Sequence, residues 1–251
     1  MKKTLITLMA LAGVASAAIT DGLVWAEAFG DGLTKAPAIT LNNAFAVENN
    51  VGIAGGGHTD SRIWTTNLSG GNFTDAFTFS LRLIDFNANN WTNALSFYTN
   101  GVTYGDNANV MQLQKSAAGN LMVYTDAFTG SNVSGDASNI NLGSVDSLKG
   151  KVLTLTYADD VVTAYVDGVA LSDTITFTYA EGVTPSKALT GFQFGAAFGD
   201  SRVADTVKVD NVALWNRGLS VGEITTLVPE PATATLSLLA LAGLAARRRR
   251  R

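Results

Sequence analysis

The stretch TVKVDNVALWNRGLSVGEITTL, residues 206–227, decides the fold of this chain. Its first half alternates in character, so that Val207 and Asn211 fall on one face while Asp210 and Val212 fall on the other. Successive side chains of a β-strand point to opposite faces, and a period of two therefore predicts a half-buried strand.

The second half of the stretch predicts a turn and a short helix. Residues 216–218 read Asn-Arg-Gly, and Ser220 followed three residues later by Glu223 has the spacing of a capping box. This order of strand, turn and capped helix resembles the last strand of the laminin-G-like (concanavalin A-like) jelly roll. The resemblance extends from about residue 77 to residue 227. It implies an all-β, two-sheet antiparallel sandwich with a short C-terminal helical turn.

The sequence upstream is typical of short strands separated by Gly, Asn and Asp. Residues 76–84 alternate Phe and Leu with polar residues, which predicts a half-buried strand. Residues 149–168 predict a hairpin around Asp159 and Asp160, and its Tyr-Val-Asp-Gly ending resembles laminin-G-like domains. We expect a polar loop at residues 131–138. Further strands are expected at residues 21–29, 44–47, 51–54, 62–66, 94–99, 110–115, 121–125, 174–179 and 190–196.

Residues 1–17 predict a secretory signal peptide. Two lysines precede an apolar run, and Ala-Ser-Ala at residues 15–17 fits a small-residue cleavage site. Residues 18–227 then form the jelly-roll domain. The chain has no cysteine, so neither disulfides nor thiolate metal sites are expected.

Residues 228–251 resemble a PEP-CTERM sorting tail. The tail begins with the cleavage motif Pro229, Glu230 and Pro231 and continues with the apolar residues 232–246. As a helix that segment is about 22 Å long, shorter than a hydrocarbon core of roughly 30 Å. The terminal cluster that orients the tail towards the cytoplasm consists of Arg247, Arg248, Arg249, Arg250 and Arg251.

The sorting resemblance implies a Gram-negative bacterial protein. Its tail would insert transiently into the inner membrane as a transmembrane helix, and an exosortase would cut near the Pro-Glu-Pro motif. The domain would then pass to the cell surface or the extracellular space.

The charge of the expected mature domain disfavours nucleic acid. Residues 18–227 hold 10 Lys and Arg against 20 Asp and Glu, a net charge near −10. Binding to phosphate backbones depends on a basic surface. We therefore expect no nucleic-acid partner.

The sequence favours a binding protein over an enzyme, with activity left open. His58 is the only histidine, and no Gly-x-Ser-x-Gly elbow accompanies it. The jelly-roll glucanases that this fold resembles carry a Glu-x-Asp-x-x-Glu motif, which is absent here. Glu223 is expected to serve as a cap.

Calcium is the candidate cofactor. Laminin-G-like domains often hold this ion at the rim of the sandwich, and Ca²⁺ prefers oxygen ligands from loops. The residues that we single out as ligands are Asp106, Asn107, Asp136 and Asp200. The same residue types also form ordinary turns.

Aromatic residues beside polar loops are the candidate ligand-binding residues. Aromatic rings can stack on sugars while neighbouring amides and carboxylates bind hydroxyl groups, although burial is their commoner role. Trp25 and Trp215 lie within strand patterns and are expected in the core. The candidate binding residues are Trp64, Trp91, Tyr98, Tyr104 and His58.

Three functions follow from these observations. The leading hypothesis is an exported, surface-sorted module that recognises an extracellular polysaccharide or glycoprotein, or another protein, with or without calcium. The alternative is a structural component of an extracellular matrix or biofilm. The third is a glycan-active hydrolase or lyase with an unrecognised site.

Overall fold

The computed structural model describes residues 19–29, 39–42, 46–54, 64–68, 75–99, 109–125, 131–134, 139–179, 189–195 and 204–228. Its strands form two antiparallel sheets of nine and seven strands. The sheets pack face to face as a jelly-roll-like sandwich, which confirms the predicted all-β fold class.

The nine-stranded sheet contains the strand predicted at residues 206–227. That strand is β16 (Thr206–Trp215), which pairs with β6 (Ala76–Asn87) on one edge and with β4 (Val51–Ala54) and β1 (Leu23–Glu27) on the other. In spatial order the sheet comprises β10 (Ser131–Ser134), β14 (Val169–Tyr179), β13 (Val161–Val166), β12 (Val152–Ala158), β6 (Ala76–Asn87), β16 (Thr206–Trp215), β4 (Val51–Ala54) and β3 (Ala46–Glu48), with β1 (Leu23–Glu27) beside β16.

The seven-stranded sheet covers the other side of the core. In spatial order it comprises β11 (Asn139–Ser144), β9 (Asn120–Tyr124), β8 (Asn109–Lys115), β7 (Asn93–Thr99), β15 (Leu189–Phe194), β5 (Trp64–Leu68) and β2 (Ile39–Asn42). Two short helices, α1 (Val145–Leu148) and α2 (Val221–Thr226), lie outside the sheets.

An aromatic cluster joins the two sheets. Phe79 of β6 meets Phe97 of β7 edge to face at 5.0 Å and Phe192 of β15 at 5.5 Å between ring centroids. Trp25 of β1 stacks on Phe192 at 5.3 Å. All four rings are buried. The alternation at residues 76–84 thus buries one face of β6, and Trp25 lies in the core as predicted.

Two-residue turns fix the strand register of several hairpins. Left-handed backbone at both central residues gives the twist that suits an antiparallel hairpin, and Asn, Asp and Gly adopt it at the lowest cost. These turns are Asn49–Asn50 (φ 53° and 63°), Asp159–Asp160 (51° and 62°) and Asp167–Gly168 (48° and 76°). The hairpin predicted at residues 149–168 is confirmed.

The predicted alternation of β16 is wrong at one position. Asn211 is exposed and has φ 48°. The sequence predicts Val212 on the opposite face from Val207, but both side chains are buried in the core. The register slips between Asp210 and Ala213, so the strand contains a β-bulge that reverses the alternation. The Asp210 carboxylate accepts hydrogen bonds from the Asn211 amide at 2.8 Å and Nδ2 at 2.9 Å, and burial raises the pKa of Asp210.

Three strands and one helix were not expected from the sequence. Within the predicted loop at residues 131–138, β10 pairs with β14, while β11 and β2 form the two edges of the seven-stranded sheet. Edge strands pair through their backbones and need little hydrophobic alternation, so their sequences resemble loops. The single turn of α1, which Ser144 caps, is likewise additional to the one predicted helix.

Helix α2 closes the outer face of the nine-stranded sheet. Ile224 is buried against Tyr165, Trp215 and Leu219 in a second hydrophobic cluster. The predicted capping box is confirmed, because Ser220 Oγ accepts from the Glu223 amide while the Glu223 carboxylate accepts from the Ser220 amide at 2.8 Å.

Arg217 ties this helix to the start of the described domain. Its guanidinium donates to both carboxylate oxygens of Glu223, at 2.6 and 3.1 Å, and its Nε lies 3.1 Å from the Asp21 carboxylate. Trp215 Nε1 donates to the carbonyl oxygen of Ile19 at 2.9 Å. We call these residues, together with Ser220, the terminal clasp.

Within the described ranges, no helix has the length and apolar character needed to cross a membrane. The predicted signal peptide and sorting tail, including residues 229–231 and 247–251, lie outside those ranges.

The terminal clasp predicts an acid-sensitive contribution to stability. The bonds from Arg217 and Ser220 lower the pKa of Glu223 from its ordinary 4.5 to about 2. A carboxylate whose pKa is lower in the folded state stabilises the protein above its unfolded pKa and loses that effect as the pH falls towards its folded pKa. We expect Glu223→Gln to lower the urea midpoint most above pH 5, with the difference from the wild type shrinking towards pH 2.

Glu48→Gln, at an exposed residue of the β3–β4 hairpin, controls for the loss of one negative charge. A difference between wild type and Glu223→Gln that stays constant from pH 6 to pH 2 contradicts the assignment.

Candidate functional site

Trp91 is the candidate binding residue with a described side chain, and it is 50% exposed. It lies in the connection between β6 and β7, two residues before β7 begins. Trp25 and Trp215, by contrast, are each 3% exposed, as predicted for core residues. Because indole rings normally bury most of their surface, exposure of this extent keeps Trp91 as a candidate binding residue.

The backbone around Trp91 is fixed to the end of β8. The Trp91 amide donates to the carbonyl of Lys115 at 2.7 Å, and the Lys115 amide donates back to the carbonyl of Thr92 at 3.0 Å. Lys115 Nζ reaches over to the carbonyl of Ala88 at 2.7 Å. The connection is therefore held at both ends, and the ring projects from a rigid base.

The backbone of Trp91 has a left-handed conformation, with φ 64°. Bulky side chains are rare there, since the conformation costs about 1–2 kcal/mol for a residue with a Cβ. Asn or Gly at this position would avoid most of that cost. A strained backbone that carries an exposed indole is the kind of outlier that accompanies a functional role.

Amide side chains surround this position in the chain. Asn87, Asn89 and Asn90 precede Trp91 and are exposed, and Gln114 Nε2 lies 3.5 Å from the carbonyl oxygen of Trp91. We call Trp91 and these three asparagines the Trp91 turn. Each amide supplies both donors and acceptors of hydrogen bonds.

A buried polar pair lies beside the Trp91 turn. Asn93 Nδ2 donates to Gln112 Oε1 at 2.7 Å, and both side chains are buried. Asn93 Oδ1 has no hydrogen-bond partner among the groups described. Buried amide oxygens are normally bonded, so this atom can accept one further donor.

Gln112 of this pair belongs to a polar row across the seven-stranded sheet. Ser96 of β7 is opposite Gln112 of β8 on one side and Gln193 of β15 on the other, and all three are buried. Core residues such as Phe97 alternate with them, so the row lies on the face of the sheet away from the core. In backbone register, the positions that continue this row are Tyr124 and Asn139 on one side and Trp64 and Asn42 on the other.

The structure separates the aromatic residues that the sequence predicted as binding residues. Trp64 begins β5, opposite Gln193, and Tyr98 lies near the end of β7, opposite Gly191. Trp91 precedes the other end of β7, and seven residues of extended chain span about 23 Å. The backbone positions of Tyr98 and Trp91 therefore lie at opposite ends of β7.

The remaining candidate residues lie outside the described ranges. They are His58, Tyr104, Asp106, Asn107, Asp136 and Asp200. In the part of the chain that the structure describes, no three His, Cys, Asp or Glu side chains gather closely enough to hold a metal ion.

The polar row was missed by sequence reasoning, although a weak signal exists. Ser96, Gln112 and Gln193 each interrupt an apolar strand at an alternate position. Polar residues at alternate positions of a strand normally predict a solvent-exposed face. Only the strand order shows that these three lie next to one another.

Comparisons with known proteins bear on the fold. No protein-family model matches the chain, and no curated protein matches it. Its fold is similar to that of a Trypanosoma rangeli sialidase solved in complex with sialic acid, with 21% identity and a TM-score of 0.60. That match covers 82% of this chain and 32% of the sialidase.

Two botulinum neurotoxin structures are also similar. The serotype G binding domain matches at 13% identity and a TM-score of 0.53, covering 82% of this chain and 50% of that one. A structure of botulinum neurotoxin type C, whose cell entry depends on interaction with two ganglioside molecules, matches at 12% identity and a TM-score of 0.55. That match covers 84% of this chain and 51% of the toxin chain. These likenesses establish the fold alone.

The left-handed backbone at Trp91 predicts an unusual order of stability among substitutions. Trp91→Asn and Trp91→Ala both remove the indole, but Asn tolerates this conformation and Ala does not. We expect the Asn variant to be about 1 kcal/mol more stable than the Ala variant, as measured by urea unfolding. As a control, the same two substitutions are made at Val169, an exposed strand residue, where the Asn variant should be no more stable than the Ala variant. Equal stabilities of Trp91→Asn and Trp91→Ala would contradict backbone strain at Trp91.

Proposed function

We propose that this chain is a glycan-binding module in which the Trp91 turn contacts the sugar. The observation that carries this proposal is the half-exposed indole of Trp91, whose backbone is left-handed and hydrogen-bonded to Lys115. A flat aromatic face suits the apolar C–H face of a pyranose ring. The neighbouring asparagine amides can donate to and accept from its hydroxyl groups.

The solved structures give the proposal independent support. The toxin structures are described as a binding domain and as a protein that interacts with gangliosides. The sialidase structure holds sialic acid, but this chain spans about a third of that protein, so the likeness gives little support to hydrolysis. Function carried over from a shared fold is an analogy, and the Trp91 turn is the feature specific to this chain.

Loss of glycan binding on removal of the indole tests this proposal. The full chain is applied to a glycan array and to polysaccharide-containing affinity gels, in EDTA and in CaCl₂. We expect Trp91→Ala to weaken binding at least tenfold, because one stacking contact contributes on the order of 1–3 kcal/mol. Val221→Ala, at an exposed residue of α2 on the other sheet, should bind like the wild type.

Wild-type binding by Trp91→Ala contradicts the assigned site. No binding to any glycan, combined with concentration-dependent self-association in sedimentation, favours the alternative of a structural matrix protein. Binding that requires CaCl₂ points to the calcium ligands proposed at Asp106, Asn107, Asp136 and Asp200.

We also propose that the domain is laminin-G-like and is delivered to the surface of a Gram-negative bacterium by its PEP-CTERM-like tail. The two prolines of the Pro229–Pro231 motif predict an extended segment that a protease can reach, and the terminal arginines predict that the tail's end stays in the cytoplasm. Intact-mass measurement of the surface form should show that Arg247–Arg251 are missing. Recovery of Arg251 in that form contradicts exosortase processing.

A further inference from the structure

We infer that the Trp91 turn selects neutral glycans and rejects glycans that end in sialic acid or another carboxylate. This inference rests on the proposed function and adds the chemical class of the ligand. It departs from the sialic acid and gangliosides named for the structurally similar proteins. The argument depends on which charges the chain places near Trp91.

The cation that contacts the backbone beside the Trp91 turn is already engaged. Lys115 Nζ donates to the carbonyl of Ala88 at 2.7 Å, and the Lys115 backbone holds Trp91 and Thr92. Moving this side chain towards a ligand would break a contact that fixes the turn. Lys115 is therefore a structural cation, and it is not available as an anion-binding group.

The other described cations are engaged as well, with the exception of Lys208. Lys149 lies 3.1 Å from Asp85 and 3.0 Å from Asp146. Lys208 has no hydrogen bond or ion pair among the described groups, and its backbone is in register opposite Asp85. The remaining three cations contact internal acceptors: Arg82 with the carbonyl of Gly150, Lys151 with Asp167, and Arg217 with Glu223 and Asp21.

Among the described groups around the Trp91 turn, the one cation left for an anionic sugar would be Lys208, which stands opposite the acidic residue Asp85 in the sheet. Carboxylates are normally recognised by Arg or Lys through charge-assisted bonds, and removing one from water without such a partner is costly. Residues 18–227 also carry a net charge near −10, which repels anions at long range. Both effects oppose sialylated and uronic acid glycans.

A neutral pyranose has no carboxylate to desolvate and is not repelled by the negative charge of the domain. The exposed amides of Asn87, Asn89 and Asn90 match hydroxyl groups, which also donate and accept. The indole covers the apolar face of the ring without requiring charge. The turn thus offers a complete set of contacts for an uncharged sugar.

Matched glycan pairs test the inference. The full chain is titrated with lactose-terminated oligosaccharides and with the same oligosaccharides capped by sialic acid, and with a neutral glucan and polygalacturonate. We expect at least tenfold tighter binding of the neutral member of each pair at low salt. The preference should narrow, without reversing, in 0.5 M NaCl, because salt screens the long-range repulsion.

A gained cation gives the converse test. Asn89→Arg should narrow the preference for the neutral glycan by binding the sialylated member more tightly, whereas Asn89→Gln, which keeps the amide, should leave the preference unchanged. Urea unfolding of both variants verifies that they fold.

The outcomes separate this inference from the proposed function. Equal or tighter binding of the charged glycans, lost in Trp91→Ala, overturns the inference and leaves the glycan-binding site in place. Binding of neither member of any pair overturns both.

Discussion

The sandwich depends on the pairing of β16 along both of its edges. One edge pairs with the long strand β6, and the other is shared by two short strands, β4 at Val207–Val209 and β1 from Val212 onwards. The bulge at Asn211 lies between those two partners. The extra residue at the bulge changes the twist of β16, so that β4 and β1 can pair with the same edge in different registers. Without β16, the two ends of the nine-stranded sheet would have no continuous hydrogen-bonded connection.

The two outer faces of the sandwich have different chemistry. The nine-stranded sheet is sealed at one end by α2, whose Ile224 packs on Trp215 and whose cap is held by Arg217. The seven-stranded sheet instead carries a buried row of amide and hydroxyl side chains through Gln112, Ser96 and Gln193, and the Trp91 turn lies before the start of β7, away from that row. The rigidity of that turn comes from β8, since Lys115 fixes the turn through its amide, its carbonyl and its ammonium group. A ligand would therefore find its contact surface already formed, which lowers the entropic cost of binding.

Sequence reasoning succeeded where the signal is local. The alternation in β6, the Asp159–Asp160 turn and the capping box at Ser220 each depend on residues a few positions apart, and the structure contains all three. It failed at Asn211, because the residue looks like a continuation of the strand and the bulge is set by two partner strands distant in sequence. For the candidate site, the polar residues around Trp91 made it a candidate, and the structure adds that its ring is exposed. The distance to Tyr98 and the row through Ser96 depend on strand order, which no short stretch contains.

The position of β1 beside β16 has a consequence for how the molecule is made. The contacts from Trp215 to Ile19 and from Arg217 to Asp21 each join residues 196 positions apart. A chain is synthesised from its N-terminus. Strand β1 and one edge of β6 therefore stay unpaired until β16, near the end of the domain, has been made. Long-range pairings of this kind slow folding, and strand edges that are still unpaired can pair with other chains. Completion of this sandwich is therefore a late and concerted event, in which the last strand to arrive joins the first.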